Sequence, residues 1–389
     1  MYQMEYYIEI MDEKEWVPAF LISEIYIERS IKNLADFATI TGPIFSLNKL
    51  MLFKEDINDE GQPKNKIYKL YKRGHKIRIF LGYNANLKLE FVGYIKEVKT
   101  DNDFLKIECE DELFRFRKKI KDKQFSQASL KTILKYVIDS VDSQIKLDCD
   151  YDMVYETFTI YQADAIDVLK QIQQDTGADI YFQSILSEMI GKNFQKTEIL
   201  IDSLSFKDSE SDITEKKSKK SEASKSENLS LNAVLKVKMP YIENQKITES
   251  HCDYSFQHNI ENATLEYIDT TDKKVKVKII THNKNGTTNE VEYGNTGGEE
   301  FEFKINRISR DAMKKRAKQE FDRLMKPGYT GNFTGWLLPY VAPGYSIGIY
   351  DNDFPEKDGI YMVESVITTF SEQGGVRQIS PGIKLSENK

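Results

Sequence analysis

The sequence predicts an α+β fold, mainly β, with two similar small β-barrel domains and an α/β insert between them. Three observations predict it. Apolar and polar residues alternate at both ends of the chain. A helical period appears only in a central block and in one later stretch. A glycine–isoleucine pattern near the front recurs near the end. Period two marks half-buried strands and period 3.6 marks amphipathic helices.

The elements follow in order. Within residues 1–112, Leu87, Leu89 and Phe91 alternate with Lys88 and Glu90, and Leu105, Ile107 and Cys109 alternate with Lys106, Glu108 and Glu110. Turn formers stand before each run, Asn84-Ala85-Asn86 and Asp101-Asn102-Asp103. Short strands joined by polar turns build small barrels or sandwiches. In 113–206, Leu130, Ile133, Leu134, Val137, Ile138 and Val141 fall on one helical face, with Ser129 as N-cap. A second helix starts at Asp164, with Asp167 placed as in a capping box, buries Ile166, Leu169 and Ile172, and stops at Gly177. The strand 179–182 follows.

Residues 207–230 hold six Lys, six Asp or Glu and seven Ser in 24 positions and no aromatic. Such a stretch buries too little apolar surface to offset its ordering entropy and reads as a linker or loop. In 231–328, strands are expected at 235–239, 274–279 and 301–305. A helix near 310–325 carries Met313, Ala317 and Phe321, with Ser309 as N-cap and Pro327-Gly328 as its end. This segment is expected to complete the later domains. Residues 329–389 form the second barrel.

The recurring pattern is Gly74-x-x-Ile77-x-Ile79, a turn, then Gly93, against Gly344-x-x-Ile347-x-Ile349, a turn, then Gly359. In each, a glycine opens a strand and a second glycine is expected to begin the returning strand. Two readings stand: hairpins of one kind look alike, or a barrel is duplicated within the chain.

Composition narrows the function. The net charge of −7 argues against a general nucleic-acid coat. Cys109, Cys149 and Cys252 are odd in number and far apart, which is no disulfide framework and fits a reducing compartment. Four histidines leave little material for His-based chemistry. No apolar run approaches the ~18 residues of a membrane helix, and the first residues lack the pattern of a secretory signal. No P-loop, G-x-S-x-G or H-E-x-x-H pattern is present. No catalytic, cofactor or metal site is expected.

The last third runs Gly331-Asn332-Phe333-Thr334-Gly335, Pro339, Pro343-Gly344, Asp351, Pro355-Glu356, Gly359, Thr369-Phe370 and Gly374-Gly375-x-Arg377-Gln378; earlier stands Cys109-Glu110-Asp111-Glu112-Leu113-Phe114-Arg115-Phe116-Arg117-Lys118-Lys119. This resembles the late control protein D family, baseplate hubs of contractile phage tails, and the hub part of related injection systems and prophages. The resemblance implies a homotrimer with two similar barrels per chain. Three chains would then give a pseudo-six-fold ring between a hexameric tail tube and a trimeric spike. Partners so implied are self, the tube, the spike and other baseplate proteins, with DNA or an effector passing unbound through the lumen. The place is a virion tail or tail-like particle assembled in the bacterial cytoplasm, with no membrane insertion by this chain.

Gly74, Gly93, Gly344 and Gly359 are the turn residues of the duplication. Candidate interface residues are Phe333, Trp336 and Tyr340, whose alternative is to fill the barrel core, and the basic run Arg115, Arg117, Lys118 and Lys119, whose alternative is a solvated face. Two rival functions remain open on the sequence: a tail-associated cell-wall hydrolase with 113–206 as its active module, and a carbohydrate-binding module.

Overall fold

The computed structural model describes residues 3–12, 14–19, 22–44, 54–57, 63–68, 70–84, 86–101, 103–151, 153–186, 231–238, 251–282, 287–306 and 308–386. The stretch read as a linker, 207–230, lies outside them.

The chain opens with β1 (Met4–Asp12), β2 (Glu15–Pro18), β3 (Glu24–Ser30), β4 (Phe37–Pro43), β5 (Lys54–Ile57), β6 (Pro63–Tyr68), β7 (Lys76–Tyr83), β8 (Asn86–Thr100) and β9 (Phe104–Glu110). A 3-10 turn at Glu112–Phe116 leads to β10 (Lys123–Ser129), α1 (Leu130–Val141), β11 (Lys146–Cys149), β12 (Val154–Ile160), α2 (Ala165–Thr176) and β13 (Asp179–Leu186). Then come β14 (Leu231–Lys238), β15 (His251–Ser255), β16 (Glu266–Ile268), β17 (Val275–His282), β18 (Thr288–Gly294), β19 (Glu299–Ile305) and α3 (Arg310–Leu324). The end is β20 (Gly328–Thr330), β21 (Phe333–Trp336), β22 (Ser346–Tyr350), β23 (Gly359–Ser371) and β24 (Gly374–Ser386). The fold is α+β and mainly β, as expected.

Helix ends follow local chemistry. The Ser129 hydroxyl accepts the Thr132 N–H at 3.3 Å, and the Ser309 hydroxyl accepts that of Ala312 at 3.2 Å. Each satisfies a donor that a helix start leaves open. Asp164 corrects the sequence reading. Its side chain makes no cap bond; only its carbonyl takes the Asp167 N–H, at 3.0 Å, so no capping box forms. Gly177 closes α2 at φ +62°, and a Cβ there would collide with the Arg316 guanidinium. Gly177→Ala is therefore expected to lower the unfolding free energy by about 1–3 kcal/mol, read as a shifted urea midpoint.

Three cores form. One joins the front strands, through Ile8, Ile27, Ile79 and Ile107; one joins the last strands, through Phe333, Ile347, Tyr361 and Ile379. The third joins α1 and α2 to Leu235, Val277, Ile279, Met313 and Ala317. Segment 231–328 thus divides. β14 pairs with β13 and β11 of the insert, and β17–β19 with α3 pack into the insert's core. β15 and β16 instead join the large sheet.

That sheet runs β16-β20-β24-β23-β3-β4-β9-β8-β7-β1-β2, with β21 on β24 and β22 between β23 and β15. The path is open: among the described residues no ladder closes either half into a barrel. The two halves meet through β23 and β3, antiparallel from Ser365↔Ser30 to Ser371↔Glu24.

The recurring sequence pattern is a recurring geometry. His75 N–H donates to the Lys72 carbonyl at 3.1 Å across Gly74 at φ +89°. Tyr345 N–H donates to that of Ala342 at 3.1 Å across Gly344 at φ +84°. Glycine supplies the positive φ that such a turn demands. Gly74 N–H reaches the Ile95 carbonyl at 2.8 Å and Ile95 N–H returns to His75 at 2.9 Å; Gly344 and Val363 do the same at 2.9 and 2.8 Å, with Tyr345 in place of His75. One residue further on, β8 carries an extra residue, Lys96, opposite β9, and β23 carries an extra residue, Glu364, opposite β24. The second glycines differ. Gly359 opens β23 opposite Ile349, but Gly93 lies inside β8 opposite Ile77, because β8 already begins at Asn86. Its bareness serves packing: a Cβ would strike the Glu110 carbonyl and the Phe91 ring.

Tracing ladders outward from the matched turns pairs β8 with β23, β9 with β24, and β4 with the broken strand β21–β20. It pairs β3 with residues 261–268, which run beside β21 and β20 through Glu261↔Thr334 and β16. One element breaks the match: β1 lies antiparallel on β7, whereas β15 lies parallel on β22.

Candidate functional site

Where the front and end strands meet, buried charges hold them together. Arg377 is fully buried; its guanidinium bonds the Glu90 carboxylate of β8 and the Leu337 carbonyl, and reaches the Pro339 carbonyl at 3.1 Å. It also lies over the Tyr340 ring, 5.0 Å from the centroid. Tyr340 donates its hydroxyl to the Leu89 carbonyl at 3.0 Å and accepts from Arg29 Nη1 at 3.3 Å; Arg29 Nε in turn reaches Asp36 at 3.4 Å. Residues 337–340 are thereby clamped onto β8 and β3.

Burial sets the electrostatics. It raises the Glu90 carboxyl above its ordinary value, against the opposing pull of Arg377 and Arg29. It also raises Asp36, against Arg29 and the Ser30 N–H. Asp111, in the same small cavity, is pushed well up by burial and then by the nearby Asp36 charge. Desolvation disfavours the charged form of any carboxyl.

The aromatic candidates separate. Phe333 takes the core position that was its alternative: it is wholly buried, edge-to-face with Tyr254 at 4.9 Å. Tyr340 turns its hydroxyl inward as described. Trp336 is 53% exposed, pairs across β21–β24 with the exposed Val376, and lies close in sequence to the exposed Leu338. The period-two pattern carries the signal that separates them: along Phe333-Thr334-Gly335-Trp336, positions 333 and 335 are buried and 336 is exposed.

The basic run is mostly committed within the chain. Arg117 binds Glu110 through Nε at 2.9 Å and Nη2 at 2.6 Å. Arg115 binds Asp142, after α1, at 2.8 Å, and Lys118 donates to the Val141 carbonyl at 3.2 Å. Lys119 is exposed beside Asp164, with which its backbone forms an isolated bridge. The run straps β9 to the end of α1. Sequence reasoning missed Arg29, Asp36 and Glu90, and gave Arg377 no role; a buried charge carries no periodic signal. Among the described residues, no three His, Cys, Asp or Glu side chains gather as a metal site.

No family model and no curated protein matches the chain. Solved structures do. A tail protein from Neisseria meningitidis MC58 is similar over 97% of this chain and 96% of its own, with a TM-score of 0.59 at 10% identity. The chain has the fold of phage-tail proteins. The 43 kDa tail protein of prophage MuSo2 from Shewanella oneidensis shows the same tail-protein fold over 97% and 98% of the two chains, with a TM-score of 0.54 at 13% identity. So does the E. coli c3393 protein, over 98% of this chain and 77% of that one, with a TM-score of 0.53 at 10% identity. It is described as a component of the type VI secretion system with structural similarity to the T4 tail proteins gp27 and gp5.

Proposed function

We propose that this protein is the baseplate hub of a contractile phage tail or tail-like particle, of the late control protein D kind. Its role is structural: three copies form a pseudo-six-fold ring that adapts a hexameric tube to a trimeric spike. DNA or an effector passes through the lumen without specific binding. The tail-protein fold sets the context. The observation that carries the reading is a junction made once inside the chain and left half-made at its ends.

Inside the chain, residues 365–371 of β23 take β3 as a neighbour beyond the end of β22. The matching stretch of β8, residues 97–100, pairs with β9 alone among the described residues. Thr100 there is exposed and Val98 half-buried, whereas their matches Thr368 and Val366 are buried; Glu97 and Lys99 are exposed against the half-buried Ser365 and Ile367. The match of β3, residues 261–268, is likewise uncovered: 261–264 are exposed and Ile268 is 41% exposed, whereas Ile25 and Ile27 are buried. One copy's 261–268 laid on the next copy's 97–100 repeats the internal junction between chains. This contact is head-to-tail, the kind that closes into a ring when its rotation allows. It also covers both unpaired strand edges, which are otherwise an association hazard.

Light scattering tests the reading. The expected mass is three times 45.2 kDa for the protein alone, or that mass plus the spike's when a trimeric spike is added. A monomer under both conditions overturns it.

A further inference from the structure

A second surface begins beside α2 and α3. A groove of about 610 Å³ runs between the α2–β13 turn and β19, floored by α3. Residues 302–305 of β19 line it in unbroken succession. Successive side chains of a strand point to opposite faces, so consecutive residues line a groove only where the backbone edge faces it. Among the described residues β19 pairs with β17 alone, and no ladder occupies its other edge.

The floor has a charge to spare. Arg316 is 2% exposed and Arg323 stands seven residues, about two turns, further along α3, yet both guanidiniums converge on one carboxylate, Glu320. Arg316 Nε is buried with no hydrogen-bond partner. Asp175, a further carboxylate near it, spends its oxygens on Tyr155 and Asn306. A second cavity of about 230 Å³ shares Lys32 and Arg323 with the first and adds Lys273 and Lys326 against a single acid, Glu364. Across both cavities six Lys and Arg side chains stand against four Asp and Glu, Asp179 and Glu302 among them, so the track is basic by two charges.

We infer that this groove takes an extended, acidic segment of a partner protein as an added strand on β19, with a carboxylate seated on Arg316 and Arg323. Main-chain bonds to a free sheet edge supply affinity in such strand addition, and side-chain sites supply selectivity. A carboxylate on paired guanidiniums makes strong charge-assisted hydrogen bonds. The inference does not rest on the trimeric ring.

The test uses the full chain and two fluorescein-labelled heptapeptides, one alternating valine and glutamate, the other valine and lysine. The acidic peptide is expected to bind by fluorescence anisotropy and to slow amide exchange across 299–305. The basic peptide is expected to bind at least about tenfold more weakly. Arg316→Gln and Arg323→Gln should each weaken the acidic peptide by about tenfold or more, the scale of a lost hydrogen bond to a charged group. Arg323 is partly exposed, so its variant keeps the test readable should Arg316→Gln unfold. Three results overturn the inference: the two peptides bind alike, neither binds at about 1 mM, or the acidic peptide binds without slowing exchange at 299–305.

Discussion

Arg377→Met is expected to lower the unfolding free energy by about 3–5 kcal/mol, the range for removing one partner of a buried ion pair. The reason is what it strands. Glu90 is 2% exposed and loses its cationic partner, and the carbonyls of Leu337 and Pro339 lose a donor. Replacing both partners, as Arg377→Met with Glu90→Leu, should recover part of the loss, because an apolar pair leaves no charge uncompensated. Urea denaturation of both variants measures it. A loss below about 1 kcal/mol for the single variant would show that the clamp on residues 337–340 contributes little.

The proposed ring contact yields the second large effect. In the internal junction Thr368 faces Ile27. Thr368 corresponds to Thr100, and Ile27 to Thr264, through the ladders matched above. Facing residues on neighbouring strands have spacings that a disulfide can span. Thr100→Cys with Thr264→Cys should therefore give, on mild oxidation, a covalent species at three times the chain mass on a non-reducing gel. Each single variant should remain at one chain. The native thiols compete little: Cys109 is buried, and Cys149 and Cys252 are half-buried. If the native protein is trimeric by light scattering yet the double variant never cross-links, the ring uses other edges.

The sequence carried local structure far better than the joints between parts. Ser129 and Ser309 are caps because a hydroxyl directly before an apolar helical period has one geometric use. Asp164 stands in the same place before α2, yet its side chain makes no cap bond; its backbone bridges Lys119 instead. The glycine turns at 74 and 344 were legible because positive φ narrows the choice of residue. Gly93 was misplaced because a glycine kept bare for a neighbouring carbonyl looks identical in sequence to one kept for a turn. The β3–β23 ladder joins residues more than 330 positions apart, and no local period announces such a pairing. Arg377 stood in plain view beside Gly374-Gly375, but its burial depends on β8, far away in the chain.

The strand that breaks the match, antiparallel as β1 and parallel as β15, has its own consequence. In a three-chain ring, a neighbour touching only the shared meander would count six equal places, whereas one touching this flanking strand would count three of one sort alternating with three of another. In such a ring, one backbone direction, reversed in a single strand, would be enough to let the same annulus be read in two numbers by whatever stacked above and below it.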